Sequence, residues 1–353
     1  MKKHNFSAGP SILPQEVLQE VSQSVLNFND SGLSLIEISH RSKDFVDVIE
    51  EARELVLKLM NLNDDYSALF LQGGASLQFS MVPYNLLSIN GKAAYTDTGT
   101  WAAGAIKEAK KVGNVDVLGS SKEANYSFIP KDYTVSKDYD YFHCTSNNTI
   151  YGTQMHAFPE TNGVPLVCDM SSDIFSRQLD FSKFDLIYAG VQKNIGPSGA
   201  TLVVVKKDLL GKTGRENIPA YFDYQSHINK GSMLNTPCTF AIYTSLLTLK
   251  WLIKNGGIEG AETRNNAKAK LLYDEIDRNP LFETFCEKED RSKMNVSFKL
   301  LDESKKEAFD KAWKEAGING LNGHRNLGGY RASLYNALPI ESVEVLVDVM
   351  RNF

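Results

Sequence analysis

Two side chains that could hold a reactive cofactor follow two successive apolar runs of this sequence. Asp169 comes directly after Leu166–Cys168, and Lys193 comes shortly after Ile187–Ala189. A lysine amine forms a Schiff base with an aldehyde, and a carboxylate keeps a pyridine nitrogen protonated, so that the ring withdraws electrons. Alone, each residue has a simpler explanation as a turn residue or a solvated side chain. Together they predict a pyridoxal phosphate site in which Lys193 and Asp169 are catalytic.

A Gly-rich turn upstream of this pair suits a phosphate group. The segment Gln72–Ser76 lies between an apolar run and a helical pattern. Small residues at a helix N-terminus leave backbone N–H groups free to bind a phosphate, although such a turn is often only a tight connection. Trp101 begins a later helix and could stack on a flat ring or simply pack in the core. Thr149 follows a strand and could bind the cofactor's phenolic oxygen or cap a turn.

These residues need strands to position them, because ligands of an open α/β sheet bind beyond the carboxyl ends of its strands. Apolar runs alternate with helical stretches between residues 67 and 205, which predicts a mainly parallel sheet covered on both faces. The predicted strands are Ser67–Leu71, Lys92–Tyr95, Asp116–Leu118, Asp140–Cys144, Pro165–Asp169, Asp185–Ala189 and Ala200–Val205. The last one also suits an antiparallel strand. Helices are predicted over Leu77–Leu87 and Trp101–Lys111.

The pattern changes in the C-terminal part and predicts a second, smaller α+β domain. Two long helices, Thr239–Asn255 and Ile258–Asp277, are separated by Gly256-Gly257 and lead out of the predicted sheet. The later predicted elements are a strand around Val296, a helix over Glu303–Ala316, short strands near Arg331 and a final helix from Glu341. We expect a large cofactor-binding domain of residues 16–257 and a small domain of residues 1–15 and 258–353.

The composition is that of a globular protein, with 42% hydrophobic and 23% charged residues. A net charge of -5 and the lack of a long Lys/Arg block argue against a nucleic-acid partner. The N-terminal residues do not resemble a signal peptide, and no stretch is apolar for long enough to span a bilayer, so no membrane partner is expected. The 4 cysteines are scattered without a CxxC pair, which indicates reduced thiols and a cytoplasmic protein. No bound metal is expected.

Several long motifs resemble the phosphoserine aminotransferase family, whose members are class V, fold type I pyridoxal-phosphate enzymes. The motifs are Asn5–Pro10, Glu37–Ser42, Ala189–Pro197, Asn235–Pro237 and His324–Ser333. The resemblance covers nearly the whole chain. It implies an α/β fold in which the large domain has a seven-stranded, mainly parallel sheet, and it implies pyridoxal 5′-phosphate as the cofactor.

The resemblance also implies cofactor contacts around Lys193 and a homodimer with two shared sites. The implied cofactor-binding residues of one subunit are Ala75, Ser76, Trp101, Thr149, Asp169, Gln192 and Lys193. Asn235 and Thr236 are implied to reach the cofactor phosphate of the other subunit. Many bacterial relatives have a Gly-Arg pair where this chain has Ala75-Ser76. The phosphate must therefore be held here by backbone N–H groups and Ser76 Oγ, without that positive charge.

The reaction that the resemblance implies converts 3-phosphohydroxypyruvate and glutamate into phosphoserine and 2-oxoglutarate, a step in serine biosynthesis. The family often also accepts a phosphorylated hydroxythreonine. Arg331 is the candidate for the substrate α-carboxylate, because a guanidinium binds it with two hydrogen bonds. The candidates for the substrate phosphate are His40, Arg41, His324 and Arg325, contributed by two subunits. Without the resemblance these four residues would be taken for surface charge.

Two other functions compete with this interpretation. Another fold type I reaction, such as cysteine desulfuration, would require a mobile catalytic cysteine, and none of the cysteines lies in a flexible Gly/Ser loop. A phosphate- or nucleotide-binding α/β protein without catalysis would use Gly73-Gly74 as its only site. A visible absorbance band that borohydride bleaches would distinguish a pyridoxal enzyme from the non-catalytic protein.

Overall fold

The computed structural model describes residues 3–353. The strands are β1 (His4–Asn5), β2 (Tyr66–Leu71), β3 (Lys92–Asp97), β4 (Asn114–Ser120), β5 (Phe142–Thr145), β6 (Asn147–Asn148), β7 (Thr153–Gln154), β8 (Leu166–Asp169), β9 (Leu186–Gly190), β10 (Thr201–Lys206), β11 (Phe282–Thr284), β12 (Asn295–Leu300), β13 (Ile318–Asn319) and β14 (Tyr330–Ser333). The helices are α1 (Gln15–Leu26), α2 (Lys43–Leu59), α3 (Gly74–Leu86), α4 (Thr100–Ala109), α5 (Tyr224–Asn229), α6 (Thr239–Lys254), α7 (Gly257–Arg278), α8 (Lys306–Glu315) and α9 (Ile340–Asn352).

A seven-stranded sheet forms the centre of the molecule, as predicted. Its strand order is β2-β10-β9-β8-β5-β3-β4. Strand β10 is antiparallel to both of its neighbours, whereas the pairs from β9 to β4 are parallel. All the predicted strands from Ser67 to Val205 are present, and the antiparallel alternative for the last of them, β10, is confirmed. The parallel strands bring the residues that follow β5, β8 and β9 to one edge of the sheet.

Both faces of this sheet are buried except along the edge strand β4, which explains the nearly continuous apolar runs of the other strands. Side chains alternate between the faces along a strand. In β9, Ile187 and Ala189 belong to one hydrophobic cluster, while Leu186 and Tyr188 belong to another on the opposite face. Helices α3 and α4 cover the second face. The sheet is therefore a rigid base for the loops at its carboxyl edge.

A smaller antiparallel sheet has the strand order β11-β12-β14. It shares a hydrophobic cluster with α7 and α9, and Phe6 from the N-terminal segment lies in the same cluster. Strand β1 pairs with β13 in parallel, so that His4 lies opposite Ile318. The predicted boundaries of the two domains stay a prediction; the position of Phe6 supports grouping the first residues with the C-terminal part.

None of the helices within residues 3–353 is long and apolar enough to cross a membrane. Across the same residues, no group of three or more His, Cys, Asp or Glu side chains has an arrangement that could hold a metal ion. The four cysteines are free thiols, and Cys144, Cys168 and Cys286 are buried.

Candidate active site

A cavity at the carboxyl edge of the seven-stranded sheet collects the chemically active side chains. Its lining residues are Gly74, Ala75, Ser76, Phe79, Trp101, Thr145, Asn147, Thr149, Asp169, Ser171, Ser172, Gln192 and Lys193. This set includes all seven residues that were predicted to bind the cofactor within one subunit. No cysteine of the described chain lines the cavity, which argues against a desulfuration that depends on a catalytic cysteine.

Lys193 lies in the turn that follows β9, and its amine faces the cavity. Nζ donates a hydrogen bond to Thr149 Oγ1 at 2.8 Å. Burial is the main cause that lowers the pKa of Lys193, Asp169 and Asp173 raise it, and the charge of Arg331 lowers it, with a net value of about 8. Because a larger fraction of the amine is neutral near neutral pH, Lys193 is suited to covalent and acid–base chemistry.

Asp169 is the last residue of β8, and its carboxylate is only half satisfied by the protein. Ser171 donates two hydrogen bonds to Oδ1, from its backbone N–H at 2.9 Å and from Oγ at 2.6 Å. Within residues 3–353, no hydrogen bond is made to Oδ2. Burial raises the pKa of Asp169, while Ser171 and the charge of Lys193 oppose this shift. The free oxygen in the cavity fits a protonated ring nitrogen of a ligand.

The N-terminus of α3 forms another wall of the cavity. The helix begins at Gly74, and its N-cap Gly73 has a φ of 93° with no side-chain capping hydrogen bond. The first N–H groups of a helix have no partner within the helix, so they are available here to an anion. A Cβ atom at Gly73 would lie 2.4 Å from Leu77 Cδ2, so this tight turn requires glycine.

Trp101, near the start of α4, is the aromatic side of the cavity. It lines the cavity and its side chain is 40% exposed, although tryptophan side chains in folded proteins are mostly buried. A flat heteroaromatic ligand would cover the exposed face of the indole.

Arg331, in β14 of the smaller sheet, adds a positive charge near the cavity. Its Nε is buried without a hydrogen-bond partner, and no acidic side chain of the described chain lies within salt-bridge distance of its guanidinium. Burial lowers the pKa of Arg331. Because an unpaired buried cation is costly, this arrangement favours binding of an external anion.

His324 belongs to the same electrostatic environment as Arg331. Burial lowers the pKa of His324, and the charges of Arg331 and Arg325 lower it further. Three of the predicted substrate-binding residues, His324, Arg325 and Arg331, are thus close enough to influence one another.

The sequence of this chain matches the family model described as "Aminotransferase class-V" over residues 3–346. The chain belongs to the class-V aminotransferases. A relative from Flavobacterium johnsoniae, named phosphoserine aminotransferase, is 66% identical over 352 residues, which cover 99% of this chain and 98% of the relative.

Solved structures show the same class-V aminotransferase fold. A phosphoserine aminotransferase from Bacillus circulans subsp. alkalophilus is 43% identical and has a TM-score of 0.96, and the match covers 99% of this chain and 98% of that one. A phosphoserine aminotransferase from Trichomonas vaginalis, described as PLP-bound, is 35% identical with a TM-score of 0.94. That match covers 99% of this chain and 100% of the other.

Seven predicted site residues of this aminotransferase do not line the cavity within one chain. They are His324, Arg325 and Arg331 of the C-terminal part, and His40, Arg41, Asn235 and Thr236. Arg41 is exposed in the loop before α2, and the exposed residues Asn235 and Thr236 lie before α6. Asn235 Nδ2 donates to Gln72 Oε1 at 3.0 Å, and Gln72 Nε2 donates to the carbonyl of Thr236 at 2.8 Å. His40 precedes Arg41, and neither side chain hydrogen-bonds to another part of the described chain.

The cavity of the aminotransferase also contains residues that the sequence analysis did not select. They are Phe79, Thr145, Asn147, Ser171 and Ser172. Ser171 had a detectable signal, because a serine two residues after a strand-end aspartate commonly forms an Asx turn with it. Asn147 and Ser172 had none, since buried Asn and Ser cannot be distinguished from turn residues by sequence pattern alone.

Proposed function

We propose that this chain is a pyridoxal-phosphate-dependent phosphoserine transaminase. It transfers the amino group of glutamate to 3-phosphohydroxypyruvate and gives O-phospho-L-serine and 2-oxoglutarate. The reaction belongs to serine biosynthesis. The observation that carries the proposal is that one cavity contains Lys193, the half-satisfied carboxylate of Asp169 and the uncapped N-terminus of α3.

The cavity fits pyridoxal 5′-phosphate at each of its chemical groups. Ala75 and Ser76 at the start of α3 offer N–H groups and a hydroxyl to the phosphate. With the cofactor bound, Asp169 would accept a hydrogen bond from the ring nitrogen, Thr149 would offer a hydroxyl to the phenolic oxygen, and Trp101 would stack on the ring. Gln192 precedes Lys193 and completes the wall. When bound, the cofactor supplies an electron sink for the electrons of the substrate Cα–H bond.

Lys193 transfers the proton in the reaction, and Asp169 stabilises the charge that develops. Lys193 Nζ takes the proton from the substrate Cα, a role that suits an amine whose pKa is lowered to about 8 by burial. The hydrogen bond to Thr149 Oγ1 keeps this amine directed into the cavity. Asp169 remains close to the opposite side of the site, where its negative charge stabilises a protonated ring nitrogen.

Arg331 holds the substrate by its α-carboxylate, since the guanidinium has no acidic partner within residues 3–353. His324 and Arg325 bind the substrate phosphate from the same subunit. His40 and Arg41 of the partner subunit complete that phosphate site, because Arg41 is exposed in the loop before α2 and neither side chain hydrogen-bonds within the described chain.

The active form that follows is a homodimer with two shared sites. Asn235 and Thr236 are exposed next to Gln72, so their free surface is available to the cofactor phosphate of the partner subunit. We place the enzyme in the cytoplasm, because the described chain has free thiols and no membrane-spanning helix.

Amino donors of different charge test the substrate assignment. Serine should be at least about a hundredfold poorer than phosphoserine in kcat/KM, because charge-assisted hydrogen bonds contribute about 1.5 to 3 kcal/mol each and at least two are lost. Arg325→Ala should reduce the preference for phosphoserine, while Arg331→Ala should weaken phosphoserine, serine and glutamate alike. Steady-state kinetics with the three donors measures both effects.

The matched control is Lys311→Ala, which removes one exposed positive charge from α8. It should leave the order of the donors unchanged. Equal use of serine and phosphoserine by the wild type would contradict the phosphate site and leave another class-V transamination as the function.

A further inference from the structure

The hairpin formed by β6 and β7 carries Thr149 and lies against the smaller sheet. In that sheet, Ser297 of β12 is directly opposite Arg331 of β14. Opposite residues of antiparallel strands point to the same side, so the two side chains share one face of the sheet. Ser297 Oγ donates a hydrogen bond to the carbonyl of Ile150 in the hairpin at 2.8 Å. One sheet face therefore carries both Arg331 and the contact to the hairpin.

Asn295 lies on the same face, and its buried side-chain amide joins the β6–β7 hairpin to strand β14. It is 0% exposed. Its Oδ1 accepts a hydrogen bond from Asn147 Nδ2 at 2.8 Å, and Asn147 lines the cofactor cavity. Its Nδ2 donates to Ser333 Oγ at 3.0 Å and to the Tyr335 hydroxyl at 3.3 Å. Asn295 thus connects the cavity wall to the strand that bears Arg331.

Both ends of this connection are held by further hydrogen bonds. Asn147 Nδ2 also donates to Ser172 Oγ at 2.8 Å in the cavity wall. On the other side, Tyr335 donates from its hydroxyl to the carbonyl of Ala8 at 2.8 Å. The buried Lys268 donates to the carbonyl of Tyr335 at 2.8 Å. A buried polar network that is satisfied at each member specifies one geometry, since any displacement leaves a polar group without a partner.

Arg331 itself has few restraints on its orientation. Its Nε has no hydrogen-bond partner, and no salt bridge holds its guanidinium within the described chain. The position of the guanidinium is therefore set by the backbone of β14. Two residues later in this strand, Ser333 accepts a hydrogen bond from Asn295, which links the strand to the cavity wall. A misplacement of about 1 Å in a substrate-binding group can cost about a hundredfold in rate.

We propose that Asn295 is a positioning residue that fixes Arg331 relative to the cofactor cavity and so determines how well the α-carboxylate of every amino-acid substrate is held. The inference rests on the proposed function, which assigns the α-carboxylate to Arg331. Asn295 does not contact the substrate. It acts through Ser333 and Tyr335 on one side and Asn147 on the other.

A double-mutant cycle between Asn295 and Arg331 tests this role. Asn295→Ala should raise KM for phosphoserine and for glutamate by similar factors, about tenfold or more, with a smaller change in kcat. The visible absorbance of the bound cofactor should remain. In the Arg331→Ala background, Asn295→Ala should change KM by less than about twofold, because the group that it positions is already absent.

The matched control is Asn279→Ala. Asn279 is a buried amide in the C-terminal part that also makes three hydrogen bonds, to Glu275, Met350 and Leu281, away from the cavity. This variant should lose stability but keep KM unchanged for both donors. Ser333→Ala removes only one partner of Asn295 and should give the same pattern as Asn295→Ala in a milder form, which keeps the test available if Asn295→Ala does not fold.

Additive effects of Asn295→Ala and Arg331→Ala, or an unchanged KM in Asn295→Ala and Ser333→Ala, would overturn the inference. A wild type that uses no amino donor would contradict the proposed function instead. In that case, crystal structures of the wild type and of the Ser333→Ala and Asn295→Ala variants would test whether Asn295 positions Arg331. A guanidinium of Arg331 that stays within about 0.5 Å of its wild-type place in both variants would overturn it.

Discussion

Lys193 is surrounded by charges of both signs, and their balance sets the pH at which its amine becomes neutral. Burial and Arg331 lower its pKa, whereas Asp169 and Asp173 raise it, and the result is a value of about 8. A neutral amine is required for attack on an aldehyde. The neutral fraction increases as the pH rises through the pKa, so a lowered pKa moves this transition from the alkaline range towards neutrality.

We expect the rate at which the cofactor-free protein takes up pyridoxal phosphate covalently to increase with pH, with a midpoint near 8. Arg331→Ala should move the midpoint to higher pH, because it removes a charge that lowers the pKa of Lys193. Stopped-flow absorbance measures the rate. Lys193→Ala is the control and should fold, show no borohydride-sensitive band and transaminate negligibly. A midpoint that is unchanged in Arg331→Ala would show that the two charges do not interact.

Asp169 supplies a negative charge to the site rather than a proton. Asp169→Asn should retain bound cofactor but reduce kcat by about 10² to 10³, the usual cost of removing one electrostatic stabiliser from an active site. The neutral amide no longer favours a protonated ring nitrogen. Asp185→Asn, directly before β9 and outside the cavity, is the control. Wild-type turnover in Asp169→Asn would assign the charge-stabilising role to another residue.

At the scale of elements, the hairpin of β6 and β7 depends on a glycine at its tip. Gly152 has a φ of 79°, and an added Cβ would lie 3.1 Å from the carbonyl oxygen of Asn295 and 3.2 Å from the N atom of Ser297. Both neighbours are backbone atoms of β12, which cannot easily move. The close approach holds Thr149 of the hairpin near Lys193.

Gly152→Ala should therefore destabilise the protein more than glycine replacement at an open site. Gly163→Ala is the matched control, with a φ of 86° and no atom within 4 Å of the added Cβ. It should lose only the cost of a left-handed alanine, about 1 to 2 kcal/mol. Gly152→Ala should lose about 1 to 3 kcal/mol more from overpacking and should also lower kcat. Chemical unfolding and steady-state kinetics measure the two effects; equal losses would exclude the packing explanation.

Six strands of the seven-stranded sheet could be predicted because they are buried on both faces and give continuous apolar runs. The edge strand β4 is exposed or half-buried along its length and gave only the short run Asp116–Leu118. Helix α2 was not among the predicted elements, although Phe45, Ile49, Ala52 and Val56 recur at helical spacing. Strands β6 and β7 have two residues each, which is too short for any periodicity. The pairing of β1 with β13 joins residues more than 300 positions apart, and nothing in the local sequence specifies such a partner.

The candidate site could be predicted where a residue type and its place at a strand end coincide, as for Asp169 and Lys193. It could not be predicted where the role depends on a distant partner. From the sequence, Asn295 is only a polar residue at the start of a strand, and its three side-chain hydrogen bonds depend on Asn147 of the hairpin and on Ser333 and Tyr335. Such roles require the tertiary structure.

At the scale of the whole molecule, the predicted site residues fall into two groups. One group lines or approaches the cavity from within the chain, including Lys193 and Arg331. The other group, including Arg41 and Asn235, is exposed on the same chain and outside the cavity. The proposed site, completed by the partner subunit, would account for both groups. In a two-fold symmetric dimer, each chain then supplies one group to its own site and the other group to the neighbouring site.

Subunit complementation tests this division directly. Lys193→Ala and Arg41→Ala homodimers should both be poorly active with phosphoserine. In the proposed dimer, Lys193 and Arg41 of one site come from different chains, so a heterodimer of the two variants would have one site with both defects and one site with neither. The two variants are coexpressed with different affinity tags. In the random mixture half of the dimers are heterodimers with one intact site each, so the mixture should have about a quarter of the wild-type activity. If Arg41 served its own chain's site, both sites of the heterodimer would be defective, and the activity of the mixture would not exceed the average of the two homodimers.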